Sequence, residues 1–135
     1  MRKKGFTLIE LLVAMTVIAV LTGMALVSFQ GSRQSARDAK RKADLEQIRS
    51  ALEMCRSDTN AYPATIPVPT GNLCYPYLGS KPSDPKSGQT YYYSGSNNAY
   101  TLCAALEIGG IAGSCGTNNC GTVGTVTCNY IVRNP

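Results

Sequence analysis

The stretch that most constrains this chain is Lys4-Gly-Phe-Thr-Leu-Ile-Glu10 and the apolar run that continues from it to Phe29. From Leu11 to Phe29 there is no charge and no proline; the polar or breaking residues are Thr16, Thr22, Gly23 and Ser28. At about 1.5 Å per residue, a helix from Phe6 to Phe29 spans roughly 35 Å, enough to cross a hydrocarbon core of about 30 Å. Glu10 is the anomaly. A carboxylate inside a bilayer costs about 2.5–3.5 kcal/mol at the helix centre on insertion scales, and less near an end. A plain apolar anchor has no use for it.

Two ordinary readings compete. A secretory signal peptide also joins a basic leader to an apolar run, and Gly23-Met24-Ala25 resembles a small-residue cleavage site. Glu10 would then sit within the apolar run, which itself continues beyond Ala25. A single-pass anchor fits the length and leaves Glu10 unexplained. The segment Lys-Gly-Phe-Thr-Leu-Ile-Glu-Leu-Leu-Val-Ala, residues 4–14, resembles the N-terminus of type IV prepilins and type II secretion pseudopilins. That resemblance implies cleavage by a membrane prepilin peptidase between Gly5 and Phe6, and methylation of the new Phe6 amine. Members of the family often carry a proline in this helix; here Gly23 alone weakens it.

The resemblance also invites a physical account of Glu10. Once residues 1–5 are removed, Phe6 carries a positive amine four residues before Glu10. Positions i and i+4 share a helix face. A carboxylate in a low-dielectric medium needs a partner of opposite sign. Within one chain that pair is geometrically loose. Between staggered chains, the amine of an incoming subunit can meet the Glu10 of one already assembled.

Composition sets the remaining bounds. The 135 residues suffice for one small domain once the leader and apolar helix are set aside. Of the net charge of +5, three units belong to Arg2, Lys3 and Lys4, which leaves +2 on side chains after cleavage. The basic leader therefore reads as a topology signal that stays on the cytoplasmic side, with the C-terminal domain outside the cytoplasm. Six cysteines agree with export, because small exported domains use disulfides where their cores are thin. The expected divisions are a leader (1–5), a transmembrane and assembly helix (6–30) and a globular head (31–135).

Beyond Gly31 the chain turns polar but keeps a helical pattern. Leu45, Ile48, Leu52 and Cys55 fall on one stripe at steps of three and four. Asp38 and Lys42 at i,i+4, and Glu46–Arg49 and Glu53–Arg56 at i,i+3, place acid before base in the favourable order. The spacing predicts a single helix from Phe6 to about Ser57, roughly 78 Å long. Gly23 and Gly31 are the places where it could bend. The basic residues from Arg33 to Arg56 alternate with acids and lack aromatic company, so they read as a solvated face rather than a nucleic-acid surface.

A connector follows over residues 58–90, with Tyr62-Pro63, Pro67, Pro69 and Pro76 and with Cys74 inside it. Pro82-Ser-Asp-Pro-Lys-Ser-Gly-Gln-Thr-Tyr-Tyr-Tyr93, taken with Tyr62-Pro63, resembles the connector and first strand of short, G-type pseudopilins. The sheet is expected over 91–135. One strand begins at Tyr91–Tyr93, and Ser94 to Asn98 make a hairpin turn. A second strand runs from Tyr100 to Glu107, with Tyr100, Leu102, Ala104 and Leu106 on one face. A third runs from Thr125 to Val132, with Val126, Cys128, Tyr130 and Val132 together. The expected fold is α+β: a long N-terminal helix packed on a small antiparallel sheet of about three strands.

Many major pseudopilins carry an aspartate-rich calcium loop near the C-terminus. From Gly109 to Pro135 this chain has no Asp and no Glu, so a hard cation that prefers carboxylate oxygens has no ready site, and no metal or other cofactor is expected. Disulfides can take over that stabilising role, since closing a loop of about 15 residues is worth roughly 3 kcal/mol in chain-entropy terms. The expected pairs are Cys55–Cys74, Cys115–Cys120 and Cys103–Cys128. Strict strand alternation puts Cys103 and Cys128 on opposite faces, so either a bulge intervenes or Cys55 pairs with Cys128. Zinc is a poor reading of these thiols, because the chain has no histidine and no Cys-x-x-Cys.

Catalysis finds no footing: there is no Gly-x-Ser-x-Gly, no phosphate loop and no carboxylate dyad. Two functions remain. One is a structural subunit of a type IV pilus or pseudopilus, with a filament of like chains, other pilins, the prepilin peptidase, the inner-membrane assembly machinery and the bilayer as partners. Such a subunit starts as a single-pass protein of the inner membrane and ends in an extracellular pilus or a periplasmic pseudopilus. The other is a membrane-anchored, monomeric binding or adhesion module. Glu10 beside a processed amine separates them, because only an assembling chain needs the pair.

Overall fold

The computed structural model describes residues 5–66, 77–111, 114–122 and 124–134. A helix, α1, runs Leu8–Thr59, and three strands follow: β1 (Tyr92–Ser96), β2 (Ala99–Ala104) and β3 (Tyr130–Arg133). The chain divides into two compact units, one ending at Gln34 and the other beginning at Ser35. The observed α1 lies within two residues of the expected bounds at each end. Asn60, at φ 59°, stops it in the left-handed region that Asn tolerates.

The strands form one antiparallel sheet in the order β1-β2-β3, with Tyr93 and Val132 opposite Leu102. Its inner face (Tyr100, Leu102, Ala104 and Val132) packs on Leu45, Ile48, Ala51 and Leu52 of α1. The predicted stripe is the packed one: Leu45, Ile48, Leu52 and Cys55 are all fully buried. Burial of an aliphatic side chain is worth about 1.5–3 kcal/mol, so this seam holds the head together. β1 extends to Ser96, so the hairpin turn is Asn97–Asn98 rather than the expected 94–98. Gly95 is needed within it. The Tyr93 ring crosses Gly95 to donate to the Pro63 carbonyl at 2.6 Å, and a Cβ there would lie 2.3 Å from both.

Two strand expectations are corrected. β2 ends at Ala104, where the chain turns so that the Glu107 and Ile108 amides donate to the Asp38 carboxylate at 2.7–3.1 Å. β3 begins only at Tyr130. Before it, the Cys128 amide donates to the Asn118 carbonyl, so Cys128 follows the preceding loop and not the sheet.

The disulfides change accordingly. Cys103 pairs with Cys115 and Cys120 with Cys128, with Cα separations of 6.3 and 5.3 Å. The expected Cys103–Cys128 and Cys115–Cys120 pairs, and the Cys55–Cys128 alternative, are not formed. Cys103 points from the outer face of the sheet, where the loop brings Cys115 over it. Cys55 is also disulfide-bonded; its expected partner, Cys74, lies outside the described residues.

The helix charges also pair differently. Arg41, expected on the solvated face, is fully buried. Its guanidinium donates to both Asp84 oxygens (2.8 and 2.9 Å), to Asp38 (2.7 Å), to Glu107 (3.1 Å) and to Gln89 (2.9 Å). Arg37 meets the same Glu107 through two bonds of 2.6 and 2.7 Å. A buried cation needs this many acceptors, and the fork of Arg supplies matching donors. The cluster ties α1 to the connector and to the turn after β2. Asp38 thus pairs with Arg41 and not Lys42, whose ammonium lies 5.6 Å from the Tyr130 ring. Glu46–Arg49 forms at 3.5 Å on the surface. Glu53 and Arg56, instead of pairing, converge on the buried Tyr62 hydroxyl, which accepts from Arg56 and donates to Glu53.

Candidate functional site

The N-terminal segment carries the candidate site. Gly5 and Phe6 precede the helix and are exposed, and a Cβ on Gly5 would meet nothing within 4 Å. Residues 1–4, part of the expected leader, lie outside the described residues. Thr7 is the N-cap and Glu10 the third helical residue. The Thr7 amide and hydroxyl donate to Glu10 Oε2 at 2.9 and 2.7 Å, and the Glu10 amide reaches Thr7 Oγ1 at 3.4 Å. This is a reciprocal capping box, which satisfies backbone donors that the first helical turn leaves open. The pattern Thr-x-x-Glu before an apolar run is legible in residues 7–10 and gives Glu10 a role within its own chain. Sequence reasoning from charge alone misses it.

Beyond the cap, Leu8, Ile9, Leu11, Leu12, Val13, Met15, Val17, Ile18, Val20, Leu21, Met24, Leu26 and Phe29 are all more than half exposed. The helix is long and apolar enough to cross a membrane. Its threonine hydroxyls are answered internally: Thr16 donates to the Val13 carbonyl and Thr22 to that of Ile18, both at 2.8 Å. They therefore ask nothing of a lipid or protein neighbour.

The head offers no catalytic constellation among the described residues. Its tyrosines serve packing. Burial pushes the Tyr93 hydroxyl up to about 12. Burial first and then the Asp44 carboxylate raise Tyr91, whose hydroxyl donates to Asp44 at 2.7 Å. Arg37 chiefly, against some desolvation, holds the Glu107 carboxyl down to about 2, with Arg41 adding to it.

The calcium loop expected of the family does not fit these residues. In the turn preceding β3, Asn119 Oδ1 already accepts from the Gly121 and Val126 amides at 2.8 Å. The Cys115, Asn118, Cys120 and Val126 carbonyls accept from other backbone amides, and Gly124 accepts from Asn119 Nδ2. A hard cation needs six or more oxygens, and no carboxylate is at hand.

Comparison with known proteins decides the family. The prokaryotic N-terminal methylation motif matches residues 1–26. A type II secretion system core protein G of Pseudomonas aeruginosa is 30% identical over 127 residues, covering 81% of this chain and 89% of the relative. The chain belongs to the type II secretion core protein G family. The Vibrio cholerae core protein G agrees, at 28% identity over 82% of this chain and 87% of its own. The Pectobacterium carotovorum core protein G is 34% identical over 64 residues, which cover 47% of this chain and 41% of the relative. In the Aeromonas hydrophila and Klebsiella pneumoniae core proteins G the matched part likewise spans only 45% and 46% of the relative. No solved structure matches the chain. Residues 1–26 therefore carry the methylation motif of the family, and the exposed helix that continues from them fits a membrane-anchored protein.

Proposed function

We propose that this chain is the structural subunit of a periplasmic pseudopilus of the type II secretion kind. A prepilin peptidase cuts between Gly5 and Phe6 and the new Phe6 amine is methylated. The mature chain waits in the inner membrane, its leader side cytoplasmic and its head in the periplasm. It then joins a helical filament of like chains, with other pilins and the assembly machinery as partners. The observation that carries this reading is the exposed apolar face of α1 from Leu8 to Phe29, begun by a carboxylate. The proposed divisions are the expected ones: leader 1–5, assembly helix 6–30 and head 31–135.

The capping box refines the role of Glu10. In a lone chain Thr7 occupies one carboxylate oxygen, Oε2. In a filament the amine of an incoming chain takes up the carboxylate, trading a neutral contact for an ion pair in a medium where charge interactions are strong. Glutamine serves a capping box as well as glutamate does. Glu10→Gln therefore keeps the cap and removes only the charge. Its expected outcome is normal insertion and cleavage, read by intact mass, with little or no filament in a shearing and pelleting assay. Filament yield equal to the parent's reduces Glu10 to a cap and favours the alternative of a monomeric anchored module.

A further inference from the structure

The two faces of the sheet are covered in different ways. The inner face packs on α1 in a cluster with no cysteine, apart from Cys55 beside it on the helix. The outer face presents Tyr92, Cys103 and Ile131, and Cys115, Cys120, Val126 and Cys128 from the following segment pack there with Ala105. Four of the five buried members of that outer cluster are the half-cystines Cys103, Cys115, Cys120 and Cys128. No residue belongs to both clusters.

The covering segment has little else to hold it down. Among its described residues Val126 is the large aliphatic side chain that packs inward, whereas Ile111 is 73% exposed. Among its described residues the backbone enters no strand and makes two isolated bridges, Gln89 with Gly121 and Asn119 with Thr127. Thr90 and Thr122 add single amide bonds to it, and Asn129 clasps its base by bonding both polar atoms of Leu106. One cystine fastens the start of the segment to β2; the other closes its far turn.

We infer that residues 109–111, 114–122 and 124–129 form an oxidation-dependent cover on the outer sheet face, latched by Cys103–Cys115 and Cys120–Cys128, and that the α1–sheet core stands without it. Each latch forms when two thiols give up two electrons and two protons to a thiol–disulfide oxidant. A dithiol reductant returns both and is itself left as a disulfide. Three of the four cysteines are fully buried, so exchange in the closed head awaits local opening. The cover is thus set once, as the head folds, and is not toggled afterwards. The inference concerns the head alone and does not depend on the filament reading.

The test uses the full chain in detergent micelles, digested by a protease of broad specificity and mapped by mass. Cys103→Ala/Cys115→Ala and Cys120→Ala/Cys128→Ala remove one latch each and leave Cys55 untouched. Each is expected to raise cutting within 109–129 by about a hundredfold, the scale of a typical disulfide's effect on local opening. Residues 35–108 and the β3 strand should survive as one core, with unchanged helical circular dichroism. A divalent-cation chelator should leave the cutting rate of the parent unchanged. Equal cutting of parent and variants overturns the inference, and so does loss of the α1–sheet core together with the cover. Faster cutting under the chelator overturns it as well, by making a cation the clasp.

Discussion

The two halves of α1 are built for different surroundings. From Leu8 to Phe29 the described large apolar side chains are all more than half exposed. From Arg37 to Thr59 the helix carries one narrow apolar stripe, which the head covers, and leaves most of its charges to water, with Arg41 and Asp38 buried in an ion-pair cluster. The second half has found its partner within the chain. The first half has not, and with its threonine hydroxyls and helix cap answered within the chain, what remains exposed is chiefly apolar area and one carboxylate. Apolar area without an internal partner must be covered by lipid or by another copy. The first half therefore contributes exposed apolar area, and the second half contributes the core of the head.

Three changes sharpen that contrast. The largest effect is expected from Arg41→Ala, which leaves Asp38, Asp84 and Glu107 facing one another without their shared cation. Breaking a buried ion pair costs about 3–5 kcal/mol, and the head should lose that much in denaturant unfolding. A loss below about 1 kcal/mol would show the cluster to be water-accessible in solution, as surface pairs are.

Leu52→Ala comes next and has a direct control. In the fully buried stripe it should cost the head about 2–5 kcal/mol. Leu12→Ala, the same change in the exposed half, should leave head unfolding within about 0.5 kcal/mol of the parent while lowering filament yield. Similar unfolding losses from both changes would erase the distinction between the halves.

The smallest effect is a pH dependence confined to the head. Glu107 has its carboxyl lowered from 4.5 to about 2, chiefly by Arg37. Its contribution to stability is therefore fully present above about pH 4.5 and is lost as the pH falls toward 2. Unfolding midpoints followed from pH 6 to pH 2 should drop over that window, and the drop should shrink in Glu107→Gln. An unchanged drop assigns it to other carboxylates.

Much of this was readable from residue order, because the signals were local. The 3.6-residue stripe Leu45–Ile48–Leu52–Cys55, the uncharged run to Phe29 and the motif around Gly5, Phe6 and Glu10 each declare themselves within a few turns of chain. The inner-face residues of β2 followed from alternation. The capping box was equally local and equally legible; reading Glu10 for its charge alone hid its geometry. What failed was non-local. Cys103 and Cys115 meet because a loop with little regular pairing folds back over the outer face, and nothing in the spacing of the cysteines records that return.

The order of residues was enough to set the long helix, its division into an apolar and an amphipathic half, the three-stranded partner and the family of the N-terminal motif. Those properties rest on short-range periodicity and on contacts between residues a few positions apart. The burial of Arg41, the joining of Cys103 to Cys115 and of Cys120 to Cys128, and the ends of β2 and β3 emerge from packing instead. Each of those depends on acceptors or sulfurs brought together from distant positions: Asp84 and Glu107 around Arg41, and Cys115 over Cys103. A buried charge is tolerated only where such partners converge, and their convergence is a property of the packed head.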